Sequence, residues 1–140
     1  MSIAVVTHLN FRGEARTALE FYQTVFGGEL TIVSYGDLGS SQEPAEAKQV
    51  MWGQVAAENG FKIMAFDALS ARLPFERGQN SFYVSARFSS DEEAQQCWQK
   101  LSVGASVRQP LGPAPWAPTL YGMLEDQFGI VWVVDVAPSH

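Results

Sequence analysis

One histidine lies at a position where it could bind or convert a ligand. His8 is followed at period two by Asn10, and the other histidine is the last residue of the sequence. Because alternate residues of a strand share a face, both side chains are expected side by side. An imidazole can act as a general base or orient a ligand. We predict His8 as a catalytic and ligand-binding residue and Asn10 as a second polar contact. A hydrogen-bonded strand histidine with a structural role is the alternative.

Aromatic side chains are the second group that could contact a ligand. Four tryptophans are a heavy load for 140 residues. Most such residues belong to a core, although aromatic rings also suit ligand sites. Trp116 lies in a Pro-rich segment, where it could form a lid or pack at an interface. We predict ligand contacts for Trp52, Trp116, Tyr121 and Trp132.

Other kinds of site find little support in the sequence. The single cysteine, Cys97, allows neither an intrachain disulfide nor a Cys-rich zinc site. It lies beside Trp98 in a helical run, which favours a buried structural thiol over a nucleophile. The sequence has no catalytic Ser-His-Asp order, Walker-type phosphate loop or Rossmann glycine pattern. The sequence is compatible with an enzyme and with a binding protein.

Charge and hydropathy restrict the partners. The net charge is −6, and the nine basic residues are scattered, so nucleic acid is not an expected partner. The acidic balance suits solubility or a cationic ligand. No stretch approaches the ~20 apolar residues of a membrane helix, and the first residues lack the pattern of a signal peptide. We therefore expect a cytoplasmic protein without membrane contact.

The elements that must position these residues follow from apolar spacing. A strand over 4–11 precedes an amphipathic helix that should end at Gly27. A strand over 30–35, a polar mobile loop over 37–48, and a hairpin with strands 49–56 and 61–66 come next. The later part should contain a strand over 81–88, a helix capped near Ser90, a Pro-rich loop over 109–118, and strands over 119–124 and 130–136.

This order of elements indicates an internal repeat. A shift of 76 residues pairs Tyr22 with Trp98, and a shift of 69 pairs Trp52 with Tyr121, so the second copy should have a shorter central loop. We predict an α+β fold of two tandem βαβββ modules that form a curved mixed sheet, a half-barrel, around a cavity. The single domain should span 1–140, with modules over 1–68 and 79–137. A cavity of this kind is the first place to look for a ligand.

Several motifs make the chain resemble the vicinal oxygen chelate superfamily, which includes glyoxalase I, extradiol dioxygenases, and fosfomycin and bleomycin resistance proteins. The PhnB-like branch is the most similar. The motifs cover nearly the whole chain, and the Asp-x-Phe-Gly-x-x-Trp ending is the most specific. They are His8–Phe11, Ala18–Tyr22, Phe26–Gly28, Trp116, Tyr121–Gly122 and Asp126–Trp132.

The resemblance implies a divalent metal such as zinc, magnesium or manganese, bound by one residue from the first and one from the last strand of each copy. His8 matches the first ligand position. The matching position in the second copy is Tyr83 or Ser85, and the two glutamate positions are occupied by Met64 and Val133. One donor of four is thus kept, whereas such ions normally have several protein ligands. We expect no metal cofactor, and keep Met64, Tyr83 and Ser85 as ligand-binding candidates.

The favoured hypothesis is a small-molecule-binding protein of this fold without the usual metal site, which sequesters a ligand or uses His8 in metal-free chemistry. A metal-dependent lyase or dioxygenase with substitute ligands Tyr83, Glu125 or Asp126 is the alternative. The label demethylubiquinone methyltransferase-like, often attached to this branch, implies S-adenosylmethionine, but no Gly-rich strand-to-helix loop is present. By resemblance, a homodimer is also expected.

Overall fold

Short alternating apolar runs around one amphipathic segment form four strands and two helices in the first part of the chain. The computed structural model describes residues 2–39, 44–69, 75–76, 78, 81–114 and 117–137. The first compact unit is Met1–Arg77. Its elements are β1 (Thr7–Phe11), α1 (Ala15–Phe26), β2 (Glu29–Ser34), a 3₁₀ turn (Gly36–Leu38), α2 (Pro44–Ala47), β3 (Val50–Ala56) and β4 (Lys62–Asp67).

The second compact unit, Gly78–His140, repeats the strand and main-helix order of the first. Its elements are β5 (Val84–Phe88), α3 (Asp91–Leu101), β6 (Ser106–Ala114), β7 (Ala117–Glu125) and β8 (Val131–Val136). The two predicted βαβββ modules are thereby confirmed, and we call the two units the first and second module.

Each module has one mixed four-stranded sheet. The strand order is β1-β4-β3-β2 in the first module and β5-β8-β7-β6 in the second. The pairs β1–β4 and β5–β8 are parallel, and the other neighbours are antiparallel. The first strand of each module therefore has one paired edge within its sheet, which is the edge against the last strand.

The hairpin turns show that the repeat extends to individual hydrogen bonds. Ala57 N donates to Phe61 O at 2.9 Å in the first module, and Asp126 N donates to Ile130 O at 2.8 Å in the second. Both pairs are related by the shift of 69 residues. Gly60 and Gly129 both have positive φ, at 102° and 87°, as this turn requires. The β3–β4 and β7–β8 hairpins therefore have the same backbone conformation at their turns.

One face of the first sheet is covered by α1, which decides which strand residues are buried. A Cβ added at Gly53 on β3 would clash with Leu19 Cδ1 of the helix. The glycine therefore permits the close approach of helix and sheet. The helix buries its face against this side, with buried residues Ala15, Ala18, Leu19, Tyr22 and Val25.

The start of α1 is held by a carboxylate from a distant strand. Glu14, the N-cap residue, makes no side-chain capping bond. Instead Asp67 Oδ1, at the end of β4, accepts from Gly13 N at 2.7 Å and Ala15 N at 3.0 Å, while its Oδ2 accepts from Val50 N at 2.9 Å. Asp67 is 1% exposed. Its charge is thus compensated by three backbone donors, including one at the positive end of the helix.

The helix of the second module is capped locally. Ser90 Oγ accepts from Glu93 N at 3.3 Å, as the Ser-x-x-Glu spacing predicts. Cys97 lies buried on this helix, and burial raises the pKa of its thiol to about 12. The predicted burial of this thiol is confirmed, and the raised pKa disfavours the thiolate, which is the reactive form of cysteine.

Two segments differ from the sequence-based expectations. The stretch predicted as a loop over 37–48 contains the end of the 3₁₀ turn and the helix α2 (Pro44–Ala47), with 40–43 outside the described residues. The Pro-rich stretch predicted as a loop contains most of β6. Because β6 is an edge strand, Pro110 and Pro113 can lie in it without breaking ladders on both sides.

Among the described residues, no helix is both long and apolar enough to cross a membrane.

We predict that Asp67→Asn lowers the free energy of unfolding by about 3 kcal/mol, because an amide nitrogen replaces one acceptor and a buried backbone N–H loses its partner. Urea denaturation followed by circular dichroism measures the loss. Glu58→Gln, at an exposed position of the β3–β4 turn, is the control and should change stability by less than about 0.5 kcal/mol. Equal effects of the two substitutions would contradict the role assigned to Asp67.

Candidate functional site

The face of the first sheet opposite α1 carries the predicted histidine. Leu9 pairs with Ala65, and Ala65 pairs with Gly53, so this row faces α1. Adjacent residues point the other way because strand side chains alternate. His8 and Asn10 therefore lie on the opposite side. We call this side the open face and define it by six residues: His8, Asn10, Trp52, Gln54, Met64 and Phe66.

A direct hydrogen bond joins the side chains of His8 and Asn10 on β1. His8 Nδ1 lies 3.1 Å from Asn10 Oδ1, and both side chains are exposed. The imidazole also contacts the ring of Phe66 on β4, with 5.1 Å between centroids and 59° between planes. This tilted geometry is favourable for aromatic pairs. The histidine is thus oriented by one polar and one aromatic neighbour.

Trp52 and Met64 form a second contact on the open face. The indole Nε1 of Trp52 donates to Met64 Sδ at 3.2 Å. Met64 is also the cross-strand partner of His8, so the thioether lies between the indole and the imidazole on this face. Both residues are half-buried. The predicted site residues of the first module, His8, Asn10, Trp52 and Met64, are therefore brought together.

The open face is uncharged at neutral pH apart from what His8 can contribute. Its six defining residues include no aspartate, glutamate, lysine or arginine. Charged residues flank these six: Lys62 and Glu29 both pair with Ala56 at one end of the sheet, and Arg12 follows Asn10 and donates to Ala68 O at the other. The six residues can therefore offer hydrogen bonds and aromatic surface, while the charged side chains lie beside them.

The corresponding face of the second module is chemically different. Gly122 lies under Trp98 of α3, and its partner Val134 pairs with Ala86. Ser85 and Tyr121 consequently point to the opposite side of the sheet. Ser85 pairs with Val133 just as His8 pairs with Met64, so Ser85 is the counterpart of His8. Between the two candidates for this position, the register selects Ser85.

An ion pair occupies the place that corresponds to Asn10 and Phe66. Arg87 donates to both carboxylate oxygens of Asp135, from Nε at 3.1 Å and from a terminal nitrogen at 3.0 Å. The hydrogen bonds to Asp135 raise the pKa of Arg87 above its ordinary value. Tyr121 pairs with Asp135 across the strands and shares this face. The second module therefore presents a charged pair where the first presents neutral groups.

Trp132 lies on the helix side of its sheet and is 1% exposed. Its Nε1 donates to Asp126 Oδ2 at 2.9 Å, and Asp126 Oδ1 accepts from Phe128 N and Ile130 N. A structure-stabilising turn thus accounts for both side chains. Trp132 follows the same alternation as Val134, the partner of Gly122 beneath α3, so it faces the helix and stands apart from Tyr121 and Ser85.

The remaining candidates occupy separate positions. Tyr83 precedes β5 and is 41% exposed. Glu125, a candidate substitute metal ligand, accepts from Arg108 at 2.7 Å at the end of β7. Trp116 lies outside the described residues. The carboxylates of Glu125 and Asp126 therefore both accept hydrogen bonds from other residues of the protein.

The donor set does not fit the metal site that the superfamily resemblance implies. In the first module His8 is paired with the thioether Met64, which already accepts from Trp52. In the second, Ser85 is paired with Val133. No group of three or more His, Cys, Asp or Glu side chains suited to a metal ion occurs in the described part of the chain. We derive no chemistry through a bound ion.

Sequence reasoning missed Gln54 and Phe66 on the open face and the pair Arg87 and Asp135 on the second module. Phe66 follows Met64 at period two and contacts His8, and the same alternation from Val133 leads to Asp135, the partner of Arg87. Strand periodicity was the signal that could have identified them.

A groove of about 500 Å³ lies elsewhere in the first module, between the end of α1 and the β3–β4 turn. Its lining includes Phe26, Gly28, Glu29, Ala57 and Asn59, and Asn59 Nδ2 closes one side by donating to Phe26 O. No residue of the open face lines it. Its exposed carboxylates and shallow shape make it a weaker candidate than the open face.

Comparison with protein families gives one match that spans nearly the whole chain. The model described as 3-demethylubiquinone-9 3-methyltransferase matches residues 3–135. A search of curated proteins finds no match.

Solved structures agree with this match. Protein PA1353 from Pseudomonas aeruginosa is 34% identical, with a TM-score of 0.82 over 99% of this chain and 100% of that chain. A putative 3-demethylubiquinone-9 3-methyltransferase, PhnB protein, from Bacillus cereus is 23% identical, with a TM-score of 0.73 over 96% and 100%.

A glyoxylase/bleomycin resistance protein/dioxygenase domain from Frankia sp. EAN1pec is similar in fold, at 13% identity and a TM-score of 0.67 over 99% of this chain and 94% of that chain. These structures confirm the resemblance to the vicinal oxygen chelate fold.

A matched pair of substitutions tests where the structure places the two tryptophans. Trp52→Phe, on the open face, should lower the free energy of unfolding by less than about 1 kcal/mol, whereas Trp132→Phe should lower it by about 3 kcal/mol because Asp126 loses a donor and a buried volume is vacated. Thermal and urea unfolding measure both. A larger loss for Trp52→Phe than for Trp132→Phe would contradict the assignment of faces.

Proposed function

The chain belongs to the family described as 3-demethylubiquinone-9 3-methyltransferase, and within it we propose that the protein binds a small organic molecule on the open face of its first module without a tightly held divalent metal ion. The molecule is either sequestered or converted by metal-free chemistry in which His8 acts as the general base. The observation that carries the proposal is the pairing of His8 with Met64, which leaves one imidazole where a metal site needs several donors.

The groups on the open face support a planar ligand. Trp52 and Phe66 supply aromatic surface, and His8 and Asn10 supply exposed polar atoms beside it. Binding sites for small molecules commonly combine an apolar lining with a few placed polar groups. An aromatic or conjugated ring that stacks against the indole and hydrogen-bonds to β1 uses both parts of this surface.

Methyl transfer is the activity named in the family description, and we do not propose it for this chain. The connection between β1 and α1 is Arg12-Gly13-Glu14, which is too short and too poor in glycine to form a Rossmann-type loop. A metal-dependent lyase or dioxygenase needs substitute ligands, and Glu125 and Asp126 are committed to Arg108 and to the hairpin turn.

We further propose that the protein is a cytoplasmic homodimer, since the superfamily that it resembles is often dimeric. Light scattering that gives the mass of one chain at micromolar concentration would contradict the dimer.

We predict that titration with Zn²⁺, Mg²⁺ or Mn²⁺ gives no saturable binding of one ion per chain in calorimetry. Met64→Glu is the matched positive variant, because it places a carboxylate beside His8 on the same face, and it should bind Zn²⁺ more tightly than the native protein. A tight single-ion site in the native protein would overturn the metal-free proposal.

The binding site itself is tested by NMR titration with small aromatic compounds. Shift changes should map to the open face, and His8→Ala and Trp52→Ala should each weaken binding about tenfold, as the loss of one good contact implies. Val103→Ala, an exposed position of the second module, is the control. The same titration with S-adenosylmethionine should leave the spectrum unchanged. Shift changes confined to other surfaces would contradict the proposed site.

A further inference from the structure

The hydrogen bond between His8 and Asn10 has a direction that the chemistry of the amide imposes. The contact joins His8 Nδ1 to Asn10 Oδ1 at 3.1 Å. A carbonyl oxygen can only accept, so with the amide in this orientation the bond forms only when Nδ1 carries the proton. In the neutral imidazole the other nitrogen, Nε2, then carries a lone pair and no proton.

The surroundings leave Nε2 as an acceptor for a ligand. His8 is exposed, and its ring packs on one side against Phe66. The indole N–H of Trp52 is directed to Met64 Sδ, and is therefore not the donor that serves the imidazole. Because Asn10 uses Oδ1 toward His8, its Nδ2 remains as a donor on the same face.

A ligand that fits these groups is defined by its hydrogen-bonding pattern. Nε2 accepts from a hydroxyl, and it repels an ionised carboxylate that offers lone pairs alone. None of the six residues of the open face is cationic, so an anion beside Nε2 gains no ion pair from them, whereas its transfer from water costs solvation. An uncharged planar compound with a hydroxyl donor meets both conditions.

We propose that Asn10 is a positioning residue, which holds His8 in its Nδ1–H tautomer and so makes the open face prefer uncharged, hydroxyl-bearing planar ligands over carboxylates. The ligand preference rests on the proposed function, whereas the tautomer is a property of the protein alone. Asn10 acts through His8, which provides the accepting atom.

The tautomer is measured first, without any ligand. Ring ¹⁵N shifts of His8 at about pH 9, above the ordinary pKa of imidazole, should show a proton mainly on Nδ1. Asn10→Ala should shift the tautomer ratio toward Nε2–H by about five-fold, the effect of one hydrogen bond of ordinary strength. Asn10→Asp keeps the accepting oxygen and should retain the native ratio. An unchanged ratio in Asn10→Ala, or a native ring protonated mainly on Nε2, overturns the proposal.

The preference is measured with two monosubstituted benzenes, phenol and benzoate, by NMR titration at about pH 8, where phenol is neutral. Phenol should bind the native open face at least about tenfold more tightly, and the ratio should fall to less than about three-fold in Asn10→Ala. The conservative Asn10→Asp variant should keep the preference for phenol. Benzoate binding as tightly as phenol to the native protein overturns the ligand preference.

The two experiments separate this inference from the proposed function. If neither probe perturbs the open face, the proposed binding function fails while the tautomer measurement still decides the role of Asn10. If both probes bind there and the tautomer ratio is unchanged in Asn10→Ala, the binding function is supported and the positioning role of Asn10 is contradicted.

Discussion

The carboxylate of Asp67 connects the elements that hold the candidate site. It lies at the end of β4 and accepts hydrogen bonds from the backbone at the start of α1 and at the start of β3. A buried charge of this kind is tolerated because every bond that it makes is to a backbone donor. Since β1 pairs with β4 alone within its sheet, the position of His8 depends on the strand that this residue terminates.

The second module secures its helix by another route, although the backbone plan is the same. Val136 occupies the place of Asp67, as their pairing with Phe88 and Phe11 shows, and the helix start is capped by Ser90 instead. The two sheet faces opposite the helices also differ in their side chains. One carries a histidine–asparagine pair and aromatic rings, and the other an arginine–aspartate pair. The two modules therefore share a backbone plan but present different functional groups.

Local patterns in the sequence were sufficient for most of the fold and for part of the site. Apolar spacing and Gly27 predicted α1 and its end, and period two placed His8 beside Asn10. The long-range bonds of Asp67 leave no local signal, since Gly13 lies 54 residues away. The aromatic content of the sequence predicts Trp132 as a ligand contact, whereas the structure places it under α3. A shift of the strand register by one residue would move its side chain to the opposite face, and the sequence does not show this register. The prolines of β6 indicated a loop because proline is normally excluded from strands. It is tolerated here because β6 lies at the edge of its sheet, which only the assembled structure shows.

The prolines of β6 also affect how the second sheet meets other chains. An outermost strand normally presents N–H and C=O groups that can template a strand from another molecule. Pro110 and Pro113 supply no N–H, and the ladder between β6 and β7 shifts register three times, between Val107 and Gln109, between Gln109 and Gly112, and before Ala114. A foreign strand could therefore form only an incomplete ladder there. The edge of this sheet is thereby a poor template for strand-to-strand polymerisation, although β6 is 9 residues long.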